Sequence, residues 1–228
     1  MDEERSGTVF LTHPLLLARG VAHGFGVRGT PEPAGLQRPR QVHGREVWVL
    51  TAPIAETPEA DAVVSALPAI PVGVVTADCV PILLIAGEGE CVAAIHAGWR
   101  GLARGVVASA VAALRAEASA EAPLTAAIGP HIAACCYEVD APVLDALCAG
   151  AIAVPVAAQR PARAERWWLH LGAVARAALE GAGVAAGAIG DFPGLCTRCD
   201  AERFYSYRRE GPQAGRLVHF ICARSGGA

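Results

Sequence analysis

The chain has 228 residues, 53% of them hydrophobic and 18% charged, which is enough to bury a full core and too apolar for disorder to be its main state. A net charge of −3 argues against a dedicated nucleic-acid binder, which carries a basic excess. All 19 basic residues are arginine, so a lysine Schiff base and a Walker-type phosphate lysine are both excluded.

The acidic start, Met1-Asp2-Glu3-Glu4-Arg5, lacks the basic, apolar and small-residue segments of a secretory signal. The longest charge-free apolar stretch, from Ala62 to Ala77, is broken by Ser65, Pro68, Pro71 and Gly73, and falls short of the roughly 20 residues that span a bilayer. A cytoplasmic protein with no membrane partner is expected. Eight cysteines in so large and apolar a chain are not needed as a disulfide scaffold; in a reducing compartment they are buried, metal-binding or catalytic.

In chain order, Gly26 to Pro39 is rich in Gly and Pro and reads as a mobile or ligand-facing loop. Glu46–Thr51, Val72–Thr76, Val80–Ala86 and Cys91–His96 are short and apolar, the last three β-branched runs that suit fully buried strands. After Gly101 the period changes: Leu102, Val106, Ala110 and Leu114 fall on one stripe, predicting an amphipathic helix over 101–118. Further helices are expected near Ala141–Cys148 and from Gly172 to Gly181. Further strands are expected at Leu124–Ile128, Ile152–Val156, Arg203–Tyr207 and Arg216–Cys222, and Gln159 to Arg166 reads as a surface connection. Strands and helices mix without regular βαβ alternation. The expected fold is α+β, mixed sheets flanked by helices, in one domain over 1–228.

Three residues stand at edges between loops and apolar strands: His43 in Gln41-Val42-His43-Gly44, Cys79 in Thr76-Ala77-Asp78-Cys79, and His96 in His96-Ala97-Gly98-Trp99-Arg100-Gly101. Buried neighbouring strands bring such ends together. Two imidazoles and a thiolate suit zinc, and three protein ligands leave a fourth position for water or substrate. Zinc lowers the pKa of bound water toward roughly 7 and acts as a Lewis acid. Spacing alone is weak: a lone cysteine beside an apolar strand is usually core, and a lone histidine near a glycine is usually a loop residue.

The same blocks carry a family resemblance. Gln41-Val42-His43-Gly44, Thr76 to Leu84, His96 to Gly101, Ile128-Gly129-Pro130 through Tyr137-Glu138-Val139, and Cys196-Thr197 followed by Arg203 to Arg209 run in order over nearly the whole chain. They resemble the bacterial YfiH family, also called the laccase-domain or polyphenol oxidoreductase family. His23-Gly24-Phe25 with Arg28 is similar to its N-terminal turn. The resemblance implies one zinc on His43, Cys79 and His96, and a fold shared with cysteine-hydrolase-like toxins. It also implies phosphorolysis of adenosine, inosine and related nucleosides to base and ribose 1-phosphate, with hydrolytic deamination of adenosine. The partners would be a small-molecule nucleoside and phosphate; the oligomeric state stays open. His131 stands where the family often carries cysteine.

Chemistry limits the inherited names. Only seven histidines exist, spread singly, so a four-copper oxidase is disfavoured, although two His and a Cys also bind copper tightly. A cysteine hydrolase acting on amides of cell-wall precursors would use Cys79 as nucleophile and His96 as base, and competes with zinc for one sulfur. Phosphorolysis needs fixed cations: Arg100 and Arg28 are candidates for phosphate, with Arg208 and Arg209 read as surface ion pairs. Gln41 either fixes the purine or ribose or orients the His43 loop. Asp78 either orients a ligand imidazole or caps a turn. Trp99 and Tyr205 either stack on a base or belong to the core. Cys196 and Cys199 form a lone C-x-x-C, half a zinc site, and read as buried or idle thiols.

Overall fold

The computed structural model describes residues 10–150, 154–155 and 158–225. After a one-turn helix α1 (Pro14–Leu17) and a short strand β1 (His23–Phe25), the chain lays down β2 (Val47–Leu50), β3 (Ala62–Ser65), β4 (Pro71–Thr76), β5 (Val80–Ala86) and β6 (Cys91–Ala97). Helices α2 (Trp99–Arg104) and α3 (Val106–Glu117) lead to β7 (Leu124–Ile128), then β8 (Glu138–Asp140) and α4 (Ala141–Ala149). A hairpin of β9 (Gln159–Pro161) and β10 (Arg166–Leu169) precedes α5 (Leu171–Gly181), β11 (Ile189–Gly190), α6 (Tyr207–Glu210) and β12 (Leu217–Cys222).

The strands form a mixed six-stranded sheet, β11-β7-β5-β6-β3-β2, and an antiparallel three-stranded sheet, β1-β12-β4; β8-β10-β9 makes a small third sheet. α3 and α5 cover one face of the large sheet, and β4 with β12 covers the other. The alternation of β5 shows why its sequence is apolar throughout. Ile82 and Leu84 pack among Leu102, Val107 and Leu114 on the helical side, while Leu83 and Ile85 pack with Val72, Val74 and Ile221 between the sheets. A strand covered on both faces has no position for a polar residue. Each such side chain contributes about 1.5–3 kcal/mol on burial.

The α+β expectation holds, as do the strands at β2, β4, β5, β6, β7 and β12 and the helices at α4 and α5. The helix expected over 101–118 is divided, because Gly105 takes a left-handed conformation (φ 85°) that ends α2 and starts α3. Arg203–Tyr207 is not a strand. Asp200 Oδ1 accepts the Arg203 N–H and the Asp200 carbonyl accepts that of Phe204, so the backbone bonds close locally, and Ser206 caps α6. Gln159 to Arg166 is exposed as expected but carries β9 and the first residue of β10. The strand expected at Ile152–Val156 lies largely outside the described residues. Among the described residues no helix is long and apolar enough to cross a membrane.

Candidate metal and active site

Register assembles the centre. β5 and β6 pair antiparallel with Pro81 opposite His96, so Cys79, in the turn before β5, lies beside the end of β6. β3 pairs with the other edge of β6, Ala62 opposite Ile95, and sets Asp61 next to His96. The loop before β2 carries His43 over both. The donor atoms of His43, Cys79 and His96 all lie within 4.8 Å of one another. Cys79 Sγ is 4.0 Å from His43 Nε2, and the two imidazoles meet edge to face at 4.8 Å between centroids.

Asp61 organises this centre. The carboxylate is fully buried and accepts the N–H groups of Val42 (3.2 Å), His43 (3.0 Å) and Gly44 (2.6 Å) together with His96 Nδ1 (2.7 Å). Its bond to Nδ1 turns His96 Nε2 toward Cys79 and fixes the tautomer that leaves Nε2 free to ligate. The three backbone bonds hold His43 at φ 57°, a strained backbone for a side chain with a Cβ. Arg104 adds a bond to the His43 carbonyl at 2.9 Å. Sequence reasoning missed Asp61. The signal was a carboxylate set directly against an apolar run, just before Ala62.

In the metal-free chain, burial pushes the Cys79 thiol up, but the neighbouring imidazoles of His96 and His43 outweigh it and hold the thiol at about 6. Burial pulls His96 down, and the Cys79 thiolate and Asp61 raise it to about 9. Burial also opposes ionisation of Asp61, yet its bonds to His96 and the Gly44 N–H leave it below the usual carboxylate value. A thiolate facing two imidazoles, one of them oriented by a carboxylate, is a donor set that fits a zinc or copper ion. The space between the donors is kept open by a glycine: a Cβ on Gly98 would stand 3.0 Å from Cys79 Sγ and 3.1 Å from His43 Cδ2.

Asp78 does not orient an imidazole. Its Oδ1 accepts from Thr197 Oγ1 (2.6 Å), and its Oδ2 accepts from Ser206 Oγ (3.0 Å) and the Arg208 N–H (2.6 Å). It therefore caps α6, the other of its two expected roles, and knots three segments at the turn that presents Cys79. The Gln41 amide is occupied at both ends by Val75, donating to its carbonyl at 2.8 Å and accepting its N–H at 2.7 Å. Those bonds fix the His43 loop to β4.

The arginines divide. Arg28 donates to the carbonyls of Ala201 and Phe204, pairs with Glu210 and covers the Tyr205 ring at 4.2 Å. Arg209 pairs with Glu210 and donates to the Thr197, Arg198 and Phe204 carbonyls. Arg208 donates to the Glu138 carbonyl. Arg100 is exposed, stacks on Trp99 at 4.4 Å and has no ion-pair partner among the described residues. Tyr137 lies close enough to feel Cys79, Asp78, Arg208 and Arg100; burial and the negative charge at Cys79 push its hydroxyl above the usual tyrosine range.

Cys196 is buried, as expected, and Cys199 is exposed, but the two are not a lone pair. They stand with Cys135 and Cys136, all four sulfurs within 4.8 Å of one another. Among the described residues these four and the His43 centre are the groupings of three or more potential ligands at that distance.

Comparison with known proteins places these observations. A family profile described as multi-copper polyphenol oxidoreductase laccase matches residues 25–224. A purine nucleoside phosphorylase from Xylella fastidiosa is 40% identical over 187 residues, covering 78% of this chain and 68% of that protein. An adenosine deaminase from an unknown prokaryotic organism is 34% identical over 190 residues, covering 79% and 72%. The crystal structure of the YfiH protein of Bacillus licheniformis superposes with a TM-score of 0.82 at 26% identity, over 90% of this chain and 93% of that one. With a profile match across most of its length and the YfiH fold, the chain belongs to the multi-copper polyphenol oxidoreductase laccase family, of which the YfiH proteins are part.

Proposed function

We propose that the chain is a zinc-dependent purine nucleoside phosphorylase that also deaminates adenosine. The observation that carries this reading is the convergence of His43, Cys79 and His96, with His96 oriented by Asp61; Arg100, four residues after His96, has no acidic partner among the described residues. The names of the relatives, a purine nucleoside phosphorylase and an adenosine deaminase, support the substrate class.

In phosphorolysis a phosphate oxygen bonds to C1′ of the ribose as the C1′–N9 bond breaks. The electron pair of that bond goes to the purine, which takes up a proton. Arg100 binds the phosphate through paired N–H donors, its guanidinium plane held by the Trp99 ring. Arg28, committed to Glu210, is the weaker candidate for this role. Tyr137, a neutral hydroxyl near neutral pH as any tyrosine is, donates a hydrogen bond to the substrate. His43, Cys79 and His96 would hold zinc, which when bound would supply Lewis acidity toward a substrate oxygen or nitrogen.

Zinc-loaded protein given adenosine and phosphate is expected to yield adenine and ribose 1-phosphate, and to yield inosine when phosphate is withheld. No turnover of adenosine under either condition overturns the proposal. A second reading, a thiol hydrolase acting on amides, is favoured by the ionised Cys79 beside His96. It requires amide cleavage by zinc-free protein that thiol alkylation abolishes.

A further inference from the structure

The four-cysteine cluster lies outside the centre just described and is assembled from two turns distant in sequence. Cys135 and Cys136 follow Ile132 in one; Cys196 and Cys199 flank Thr197-Arg198 in the other. Cys136 and Cys196 are buried, and Cys135 and Cys199 face outward along a cavity of about 470 Å³. The resolved sulfur separations are 3.6 Å for Cys135–Cys136, 3.7 Å for Cys135–Cys199 and 3.2 Å for Cys136–Cys199. A zinc ion with Zn–S bonds of about 2.3 Å requires tetrahedral sulfur edges of about 3.8 Å. A disulfide requires about 2.05 Å. The cluster therefore has the size of a metal tetrahedron and not that of one or two crosslinks.

Its surroundings also suit thiolates. The Ala133 N–H points at Cys196 Sγ from 3.4 Å, and Arg198 Nη1 points at Cys136 Sγ from 3.5 Å. Four thiolates on a divalent ion carry a net charge of −2, which a guanidinium and a backbone amide offset. The geometry points to a second metal site, in which Cys135, Cys136, Cys196 and Cys199 bind a thiophilic divalent cation, zinc by its ligand chemistry, and clamp the 131–136 and 196–199 turns together. The four sulfurs close the coordination sphere, so the ion is structural.

The clamp reaches the first centre through Asp78. Thr197, between the two cysteines of the second turn, donates to the Asp78 carboxylate, and Ile132, beside the first turn, donates its N–H to the Asp78 carbonyl at 3.0 Å. Both turns thus brace the residue next to Cys79. The proposal does not depend on the reaction assigned above.

The test begins with His96→Ala protein, prepared reduced so that the first centre is disabled. Loaded with zinc and freed of excess, it is expected to retain one equivalent per chain. Loaded with cobalt instead, it is expected to show the intense visible bands of a tetrahedral tetrathiolate. Zinc should shield these four cysteines from iodoacetamide, with chelation exposing them together, as read by peptide mass spectrometry. Adding Cys196→Ser and Cys199→Ser to the same background is expected to abolish the retained equivalent. Hydrogen exchange across both turns of otherwise unchanged protein should rise when the metal is removed. The proposal is overturned if reduced His96→Ala protein retains neither ion, if the four cysteines alkylate equally with and without zinc, or if zinc-loaded protein carries a Cys136–Cys199 disulfide.

Discussion

The carboxylate of Asp61 lies 2.7 Å from Nδ1 of His96, and the same carboxylate gathers the backbone N–H groups of Val42, His43 and Gly44. One buried charge thus fixes the direction of one imidazole and the loop of the other. Asp61→Asn keeps the volume but puts an amide NH2 against donors that need an acceptor. Zinc affinity is expected to fall about 10–100-fold, the usual cost of removing such an outer partner. Competition with a chromophoric chelator measures it, and affinity equal to the parent's would contradict this role for Asp61.

Gly98 has φ −74° and ψ 165°, a backbone that alanine adopts without strain. Its Cβ would nonetheless press on Cys79 and His43. Gly98→Ala is therefore expected to leave the melting temperature within a few degrees of the parent while weakening metal binding at that centre. Calorimetry and metal titration on the same sample separate the two effects.

Arg100→Ala is expected to raise the KM for phosphate roughly ten- to a hundredfold, the loss of a charge-assisted hydrogen bond, with a smaller change in adenosine deamination. Steady-state kinetics with phosphate varied reads this out. Equal loss in both reactions would indicate that Arg100 acts elsewhere than on phosphate.

In metal-free protein, Cys79 and His96 exchange a proton rather than lose one. The Cys79 pKa is depressed, so its contribution to stability grows as pH rises through about 6 and is complete above the thiol's usual value near 9. That of His96 is raised, so its contribution is full below about 6.5 and is lost as pH rises through about 9. The two slopes oppose each other between about 6.5 and 9, and stability there is expected to be flat from this pair. Alkylation of Cys79 is the sensitive readout: its rate should rise with a midpoint near 6 instead of the ordinary thiol range, and zinc should suppress it. A midpoint near 9 would mean the imidazoles do not stabilise the thiolate.

Thr197→Val removes the hydroxyl that donates to Asp78 in a fully buried position. About 1–3 kcal/mol of stability is expected to go with it, measurable by urea unfolding.

Much of the arrangement was legible along the chain. The apolar runs at β4, β5 and β6 announce strands buried on both faces, and the edges of those runs carry Cys79 and His96. What the sequence did not reveal depends on register. Nothing local marks Asp61 as the partner of His96, because the two meet only when β3 lies beside β6. Asp78, one residue from Cys79, offers either role in sequence, orienting an imidazole or capping a turn, and serves α6. Gly105 interrupts a continuous apolar stripe, and only its left-handed φ tells that the helix stops there. Cys196-x-x-Cys199 reads as a lone pair because the cysteines that stand beside it, Cys135 and Cys136, lie some 60 residues earlier.

The enclosure of β5 has a consequence for how an ion is received. Slipping that strand by one residue would exchange its helical and sheet-facing side chains and leave both packing surfaces mismatched. The turn that carries Cys79 is consequently tied to a strand of fixed register, and its place beside His96 is set by the pairing of β5 with β6. A cation bound there would meet donors that chain pairing has already gathered, so its selection would fall to radius and ligand preference.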